Sequence, residues 1–319
     1  MATDRAPKRR SHAGGQPASA PASHTGLVVA AHGRHYIVEL AEGGQRQCFT
    51  RGKKSDVAVG DTVDVQLQGQ AEGVIQGIHA RRNLLYRSDE QRSKLFAANL
   101  DQLLLVVAGE PPFSNELLGR ALVAAHSAGI EPVILLNKAD LPDSLARARA
   151  QLLALTGNDA PRTLEVSALD AEGLRAQLRP LLAGRRSLLL GQSAMGKSTL
   201  LNALVPGAHA ATQTHSVALD AGRHTTTHTR LYHLPNAGGQ LIDSPGFQNF
   251  GLIHLTPEQI AQGFPAFAPH IAGCRFYNCT HRHEPGCGVL AAVAEGIVPA
   301  AQHRLYERIL QENEAAQRY

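Results

Sequence analysis

Three groups of residues have the types and spacing for chemistry. The first is GQSAMGKS, Gly191 to Ser198, which fills every fixed position of a G-x-x-x-x-G-K-[ST] loop. Its glycines let backbone N–H groups approach phosphate oxygens, and the positive end of the helix that follows adds attraction. The loop takes in Gly191, Gln192, Ser193, Ala194, Met195, Gly196, Lys197, Ser198 and Thr199. Lys197 would reach the β- and γ-phosphates of a nucleotide, and the Ser198 hydroxyl would hold Mg²⁺. Downstream, DSPG puts Asp243 where a carboxylate meets the Mg²⁺ shell and Gly246 where an N–H meets the γ-phosphate. Between them lies GRHTTT, residues 222–227, in a polar stretch without helical or strand period. A hydroxyl of Thr225, Thr226 or Thr227 can complete the Mg²⁺ shell there, with Thr226 carried forward as the ligand. Such a loop would be ordered by the triphosphate and released after hydrolysis.

The second group is NKAD, residues 137–140. The Asp140 carboxylate can accept from the N1–H and N2–H₂ edge of guanine, while Asn137 supports the pocket and Lys138 lays its stem over the base. Adenine lacks those donors, so a buried Asp140 would be left unpaired against ATP, and that penalty gives specificity. SAL at 167–169, with Ser167 and Ala168, ends the next strand and can offer a backbone N–H to the guanine carbonyl. The third group is GCRFYNCTHRHEPGCG, in which Cys274, Cys279, His281 and Cys287 are spaced C-x₄-C-x-H-x₅-C. Three thiolates and one imidazole form a closed tetrahedral set suited to one structural Zn²⁺, with His283 as the competing imidazole. Four protein ligands leave no open position for catalysis by that metal.

These groups need a scaffold, and the texture of the chain supplies one. From about Asn99 to Phe250, strands alternate with helices: DQLLLVVA, then a helix opened by Ser114, then PVILLN, a helix with Pro142 at its start, TLEVS, the helix DAEGLRAQLRPLLA, and SLLLG. This β-then-α alternation predicts a parallel sheet with helices on both faces. The phosphate loop sits between a predicted strand and the helix KSTLLNALV, which is the confirming context. Ahead of this region, from Gly26 to about Arg82, five short β runs are separated mostly by glycine-bearing turns, and Val63, Val65 and Leu67 alternate with polar residues. That pattern predicts a small closed barrel of the OB type, a shape that often binds RNA or DNA and that can equally serve packing alone.

The 319 residues, 43% hydrophobic, are enough for two or three domains with proper cores. The fold class expected is multidomain: a basic tail over 1–25, an OB-type barrel over 26–85, an α/β P-loop domain over 86–252, and a zinc-binding α-rich module over 253–319. Arg5, Lys8, Arg9 and Arg10 against Asp4 give the tail most of the net charge of +4, and it reads as a disordered basic arm or a solubilising leader. The absence of Trp argues against a long aromatic platform for single-stranded nucleic acid. No apolar run follows the basic residues and LLLVVA at 103–108 is too short to span a bilayer, so no membrane association and a cytoplasmic location are expected. Cys48 stands apart from the other three cysteines, a poor basis for a disulfide framework.

The order along the chain is base reader, base support, phosphate loop, first switch, second switch. An ordinary GTPase has the phosphate loop first. A parallel sheet keeps its strand neighbours when the chain ends are moved, so this order describes a circularly permuted GTPase whose switches lie directly before the zinc module. The NKAD, SA, GQSAMGKS, GRHTTT, DSPGF order, with a barrel before it and the Cys/Cys/His/Cys cluster with EPGC after it, resembles the family of bacterial small ribosomal subunit-dependent GTPases A. The match runs from about residue 26 to about 312. The resemblance implies a GTPase that binds the small ribosomal subunit late in its maturation and is strongly stimulated by that subunit. GTP and GDP are the expected substrate and product, the rRNA of that subunit the expected contact, and a monomer the expected state. Ala194 and Met195 depart from the Gly-Val usual in the family loop, at positions that vary.

Phe247 stands where many GTPases carry a water-orienting Gln, so slow intrinsic hydrolysis is expected. His224 is the candidate to position the attacking water, and the family resemblance points the same way. Two other classes are weighed against this reading. An ATPase with a zinc module for protein contacts would have no use for Asp140, and a non-catalytic RNA scaffold would have no use for Lys197 and Ser198. The tail segment PAAQHRLYERILQE reads as an amphipathic helix with Leu305, Ile309 and Leu310 packed on a core.

Overall fold

The computed structural model describes residues 23–52, 56–88, 93–157, 160–208, 229–235, 238–244 and 252–316. The basic arm up to residue 22, the GRHTTT segment with His224 and Thr226, and Gly246 with Phe247 lie outside the described residues.

The barrel is built from β1 (Ser23–His32), β2 (His35–Leu40), β3 (Gln45–Thr50), β4 (Thr62–Gln68) and β5 (Glu72–Ile78). They run in the order β1-β2-β3-β5-β4, and β1 also pairs with β4, which closes the sheet on itself. Alternation does the sorting: Val63 and Val65 of β4 point inward with Val28, Val38, Cys48 and Ile75, while Thr62, Asp64 and Gln66 stay partly exposed. A bulge between Val28 and Ala30 bends β1. The far end of that strand pairs through Ala30 with Arg230, joining the barrel to the main sheet.

After the barrel comes a hairpin that the sequence reading did not foresee, β6 (Leu84–Ser88) and β7 (Ser93–Ala98). Leu85, Phe96 and Ala97 bury one side of it in the large core. Around it the barrel is fastened to the next unit by polar contacts. On the barrel's own side of the junction, Arg81 grips the fully buried Asp61 with two bonds of 2.7 Å. Arg186 donates to the Gly60 carbonyl at 2.6 Å, while its own backbone N–H meets Asp101 at 2.7 Å.

The central sheet continues with β8 (Gln102–Val107), β9 (Glu131–Leu136), β10 (Arg162–Glu165), β11 (Arg186–Gly191), β12 (Arg230–His233) and β13 (Gln240–Asp243). The spatial order is β10-β9-β8-β11-β13-β12, parallel except for β12. β8 is buried at every position and β11 at all but its first, which is why both read as continuous apolar runs. The helices are α1 (Asn115–Ser127), α2 (Pro142–Thr156), α3 (Ala171–Leu182) and α4 (Lys197–Leu204). Ser114 caps α1 and Asp170 caps α3 through their side-chain oxygens.

The C-terminal region holds α5 (Pro257–Gln262), α6 (Ala268–Ile271), α7 (Gly288–Ala294) and α8 (Ala300–Ala316). As the sequence predicts, Leu305, Ile309 and Leu310 are buried. Leu305 lies against Gly119 of α1, where a Cβ would sit 2.0 Å from its Cδ2, so any larger residue there would have to displace the Leu305 side chain. Asn313 of α8 donates to the carbonyls of Leu252 and Leu255 at 2.8 and 2.9 Å and so fixes the turn ahead of α5. No helix among the described residues is long and apolar enough to cross a membrane.

Candidate nucleotide site and metal centre

Parallel strands deliver their carboxyl ends to one edge of the sheet, the place where open α/β sheets bind ligands. Here β9 delivers Asn137 to Asp140, the segment after β10 delivers Ser167 and Ala168, β11 delivers Gly191 and the loop behind it, and β13 ends at Asp243. Residues far apart in the chain therefore share one rim. The loop from Gly191 to Lys197 turns through Ala194 at φ +67° and Gly196 at φ +90°. At Gly196 a Cβ would also lie 2.2 Å from the Asn137 amide nitrogen, so the second fixed glycine is required twice over.

Asn137 is the clamp between the two motifs. Its side chain is 2% exposed, donates to the Met195 carbonyl at 2.8 Å and accepts from the Ala168 N–H at 3.1 Å. The base-reading turn, the SA turn and the phosphate loop are thus tied by one amide. Its bond to Ala168 also commits a backbone N–H that the sequence reading offered to guanine. Lys138 adopts φ +63° and its Nζ donates to the Glu110 carbonyl at 2.6 Å.

Asp140 differs from expectation. It was expected buried, and it is exposed at the rim, because it sits in the turn that leaves the sheet after β9. Its Oδ1 accepts from the Ser167 hydroxyl at 2.5 Å, and that hydroxyl accepts from the Leu169 N–H at 3.3 Å. Ser167 therefore acts on the carboxylate through its side chain, a role the sequence did not reveal.

Lys197 opens α4 with its ammonium buried, 2.5 Å from Asp243 Oδ1 and 2.7 Å from the Ser244 carbonyl. Burial pushes the Asp243 carboxyl up, and the Lys197 charge pulls against it. The pair brings the two predicted phosphate-side groups together at hydrogen-bond distance. Ser193 and Ala194 lie exposed on the loop, Ser198 and Thr199 lie exposed in the first turn of α4, and Met195 is buried. Gln192 reaches sideways, accepting from the Ser114 N–H at 2.6 Å. Nothing local in the sequence pairs residues so far apart.

In the C-terminal region the ligand atoms of Cys274, Cys279, His281 and Cys287 all lie within 4.8 Å of one another. Cys274 Sγ and Cys287 Sγ are 3.8 Å apart, and each is 3.5 Å from His281 Nδ1. A tetrahedron with bonds of about 2.3 Å to sulfur and about 2.0 Å to nitrogen has edges of nearly those lengths, so the donor set fits Zn²⁺. Burial pushes the Cys279 thiol up to about 12, so thiolates here would need a cation at the centre.

Supports around the ligands were missed from sequence. His303 Nε2 lies 2.7 Å from the His281 carbonyl, and the Tyr306 hydroxyl donates to Thr280 at 2.8 Å. Burial would raise the Glu284 carboxyl, yet hydrogen bonds from Thr280 and neighbouring backbone N–H groups hold it well below the usual range. The signal was Glu284 within EPGC, whose role shows only once the loop is folded.

The family model for the RsgA GTPase matches residues 78–253, more than half of the chain. A Small ribosomal subunit biogenesis GTPase RsgA of Bordetella pertussis is 64% identical over 294 residues, which are 92% of this chain and 98% of that protein. One from Burkholderia pseudomallei is 56% identical over 291 residues, 90% of this chain and 91% of that protein. Among solved structures, YjeQ from Thermotoga maritima aligns with a TM-score of 0.69 at 30% identity, over 92% of this chain and 99% of that one. YloQ, described as a circularly permuted GTPase, aligns with a TM-score of 0.64 at 26% identity, over 92% of this chain and 96% of that one. With the base reader ahead of the phosphate loop on one sheet edge, the chain belongs to the RsgA GTPase family and is a circularly permuted GTP hydrolase.

Proposed function

We propose that this protein binds the small ribosomal subunit and hydrolyses GTP during late maturation of that subunit, with the subunit stimulating hydrolysis, and that it acts as a monomer in the cytoplasm. The observation that carries the reading is the Asn137 clamp, which holds a guanine reader and a phosphate loop on one rim in a chain whose relatives bear the subunit-biogenesis name. Asp140, set by Ser167, accepts from the guanine edge, with Lys138 laid over the base. Backbone N–H groups of residues 191–199 and the Lys197 ammonium hold the phosphates. Ser198, Asp243 and Thr226 would hold Mg²⁺, which supplies neutralisation of charge on the β- and γ-oxygens. Gly246 would read the γ-phosphate, and His224 would orient the attacking water.

The Cys274, Cys279, His281, Cys287 set holds one structural Zn²⁺ in this reading. Between the first two ligands it displays Tyr277, fully exposed, and Phe276 with the Arg275 guanidinium 5.6 Å over its ring. Exposed aromatics beside a cation suit stacking on unpaired bases, which supports rRNA as the partner of this module alongside the barrel. The barrel (26–85), the GTPase unit (86–252) and the zinc module (253–319) act as three parts whose relative pose depends on the nucleotide.

Two measurements test this. GTP hydrolysis is followed with and without purified small subunits, with ATP as control, and binding to the subunit is compared in GDP and in a non-hydrolysable GTP analogue. Stimulation specific to GTP and at least about fivefold tighter binding with the analogue are expected. Equal affinities in the two states would defeat the switch, because a ligand shifts only what it binds differentially. His224→Ala is expected to cut stimulated turnover by about a hundredfold and leave nucleotide affinity unchanged. Unaltered stimulated turnover would remove His224 from catalysis.

A further inference from the structure

We propose that the segment from Gly109 to Ser114 is a strap joining the guanine-reading end of the nucleotide site to its phosphate-binding end, with Gln192 and Gln151 as positioning residues that act through it. The inference rests on the nucleotide site proposed above and assigns it an internal coupling. β8 lies between β9 and β11 in the sheet, so the segment leaving its carboxyl end runs between the loops that follow its two neighbours.

Each end of the strap holds a side chain from a different nucleotide loop. The Glu110 carbonyl accepts from Lys138 Nζ at 2.6 Å, on the base side. The Ser114 N–H donates to Gln192 Oε1 at 2.6 Å, on the phosphate side. Along its length the strap packs on α2. Gly109 is so close to that helix that a Cβ would fall 1.9 Å from the Ser144 carbonyl oxygen. The Glu110 carboxylate meets Arg147 at 3.1 Å. Phe113 is buried, and its carbonyl accepts from Gln151 Nε2 at 2.6 Å, while the same nitrogen lies 2.8 Å from Asn115 Oδ1.

A short segment packed along one helix and tied at both ends moves with that helix as one body, so a shift imposed at one end is carried to the other. When the turn after β9 closes on a base, Lys138 sets the Glu110 carbonyl, and the strap passes that setting through Ser114 to Gln192. By linkage, filling the phosphate side sets Lys138 in the same measure. Sites without such a connection have additive effects on binding.

The test is a double-mutant cycle on GDP affinity measured by calorimetry. Lys138→Met keeps the aliphatic stem and removes the ammonium; Gln192→Leu keeps the bulk and removes the acceptor. Each single change is expected to raise the GDP Kd, and the double change to fall short of their product by about threefold or more. Gln151→Ala and Gln151→Glu, the second of the same shape without the donor, are both expected to raise the GDP Kd about tenfold, the scale of one or two lost hydrogen bonds. A double change that falls short of the product by less than about threefold overturns the strap, as do Gln151 variants that bind GDP like the wild type. Should the Gln151 variants fail to fold, the cycle alone decides. Asp140→Asn in the same series separates the two levels: if it loses GDP while the cycle multiplies out, only the strap falls, and if it binds GDP like the wild type, the site itself is misplaced.

Discussion

Lys197→Ala is expected to lower kcat/KM for GTP by about a thousandfold or more, the scale of losing a preorganised charge at a transferring phosphoryl group. The same change strands Asp243, which is 1% exposed and has the Lys197 ammonium as an ion-pair partner at 2.5 Å. Removing one partner of a buried pair typically costs about 3–5 kcal/mol, because the other charge stays out of water. Burial already raises the Asp243 carboxyl, and without the lysine it rises further. A carboxyl raised in the folded state binds its proton more tightly than in the unfolded chain. The variant is therefore most destabilised at neutral and higher pH, and its thermal midpoint should approach that of the wild type as pH falls toward the unfolded carboxylate range. Replacing both residues, Lys197→Ala with Asp243→Ala, removes the stranded charge. It should restore most of the stability and none of the hydrolysis. A double variant as unstable as the single one would show that the pair is not the source of the cost.

On the proposed zinc reading, Cys279→Ala should release the metal and unfold the module that the metal would close. Structural zinc contributes about 10–16 kcal/mol in small domains at neutral pH, which rivals the whole stability of a typical domain. The cluster closes a loop over an aromatic group in which Phe267 and Tyr306 have ring centroids 5.1 Å apart and Phe264 and Tyr306 5.5 Å. With His281 no longer held, the His303 and Tyr306 contacts to the loop lose their partners. The expected result is one zinc per chain in the wild type and none in the variant, with amide protection lost across residues 264–295. Protection in β8, β9 and β11 should persist and GDP affinity should stay near wild type, because the ligands lie on a separate part of the chain from the nucleotide rim. Retained protection in the zinc-free variant would mean that the metal is not structural.

How much of this was legible beforehand depends on the range of the interaction. The strands β8, β9 and β11 are apolar runs bounded by polar residues, and the barrel strands alternate; both patterns are set by burial on two faces or one, which the sequence displays directly. The phosphate-loop motif and the Cys/His set are local spacings; the motif lies between β11 and α4, and the four Cys/His ligand atoms gather within 4.8 Å of one another. The Asn137 to Met195 bond, the Gln192 to Ser114 bond and the grip of Asn313 on Leu252 join residues distant in the chain, and no spacing announces them. The exposure of Asp140 escaped for a related reason. The motif names the carboxylate, and the turn geometry decides where it sits. The hairpin of β6 and β7 was passed over because it falls where the barrel pattern ends and the alternating pattern begins.

The central claim is that one exposed carboxylate, ahead of the phosphate loop in sequence and beside it in space, selects guanine. The most direct measurement is calorimetric binding of GDP to Asp140→Asn, with ADP binding to the wild type as the specificity control. A neutral amide offers one acceptor where the ionised carboxylate takes both guanine donors, and charge-assisted bonds are about twice as strong as neutral ones. The account predicts wild-type binding of GDP with ADP undetected, and a GDP affinity in the variant lower by about a hundredfold, the scale of two lost charged hydrogen bonds. An unchanged GDP affinity in Asp140→Asn would contradict it.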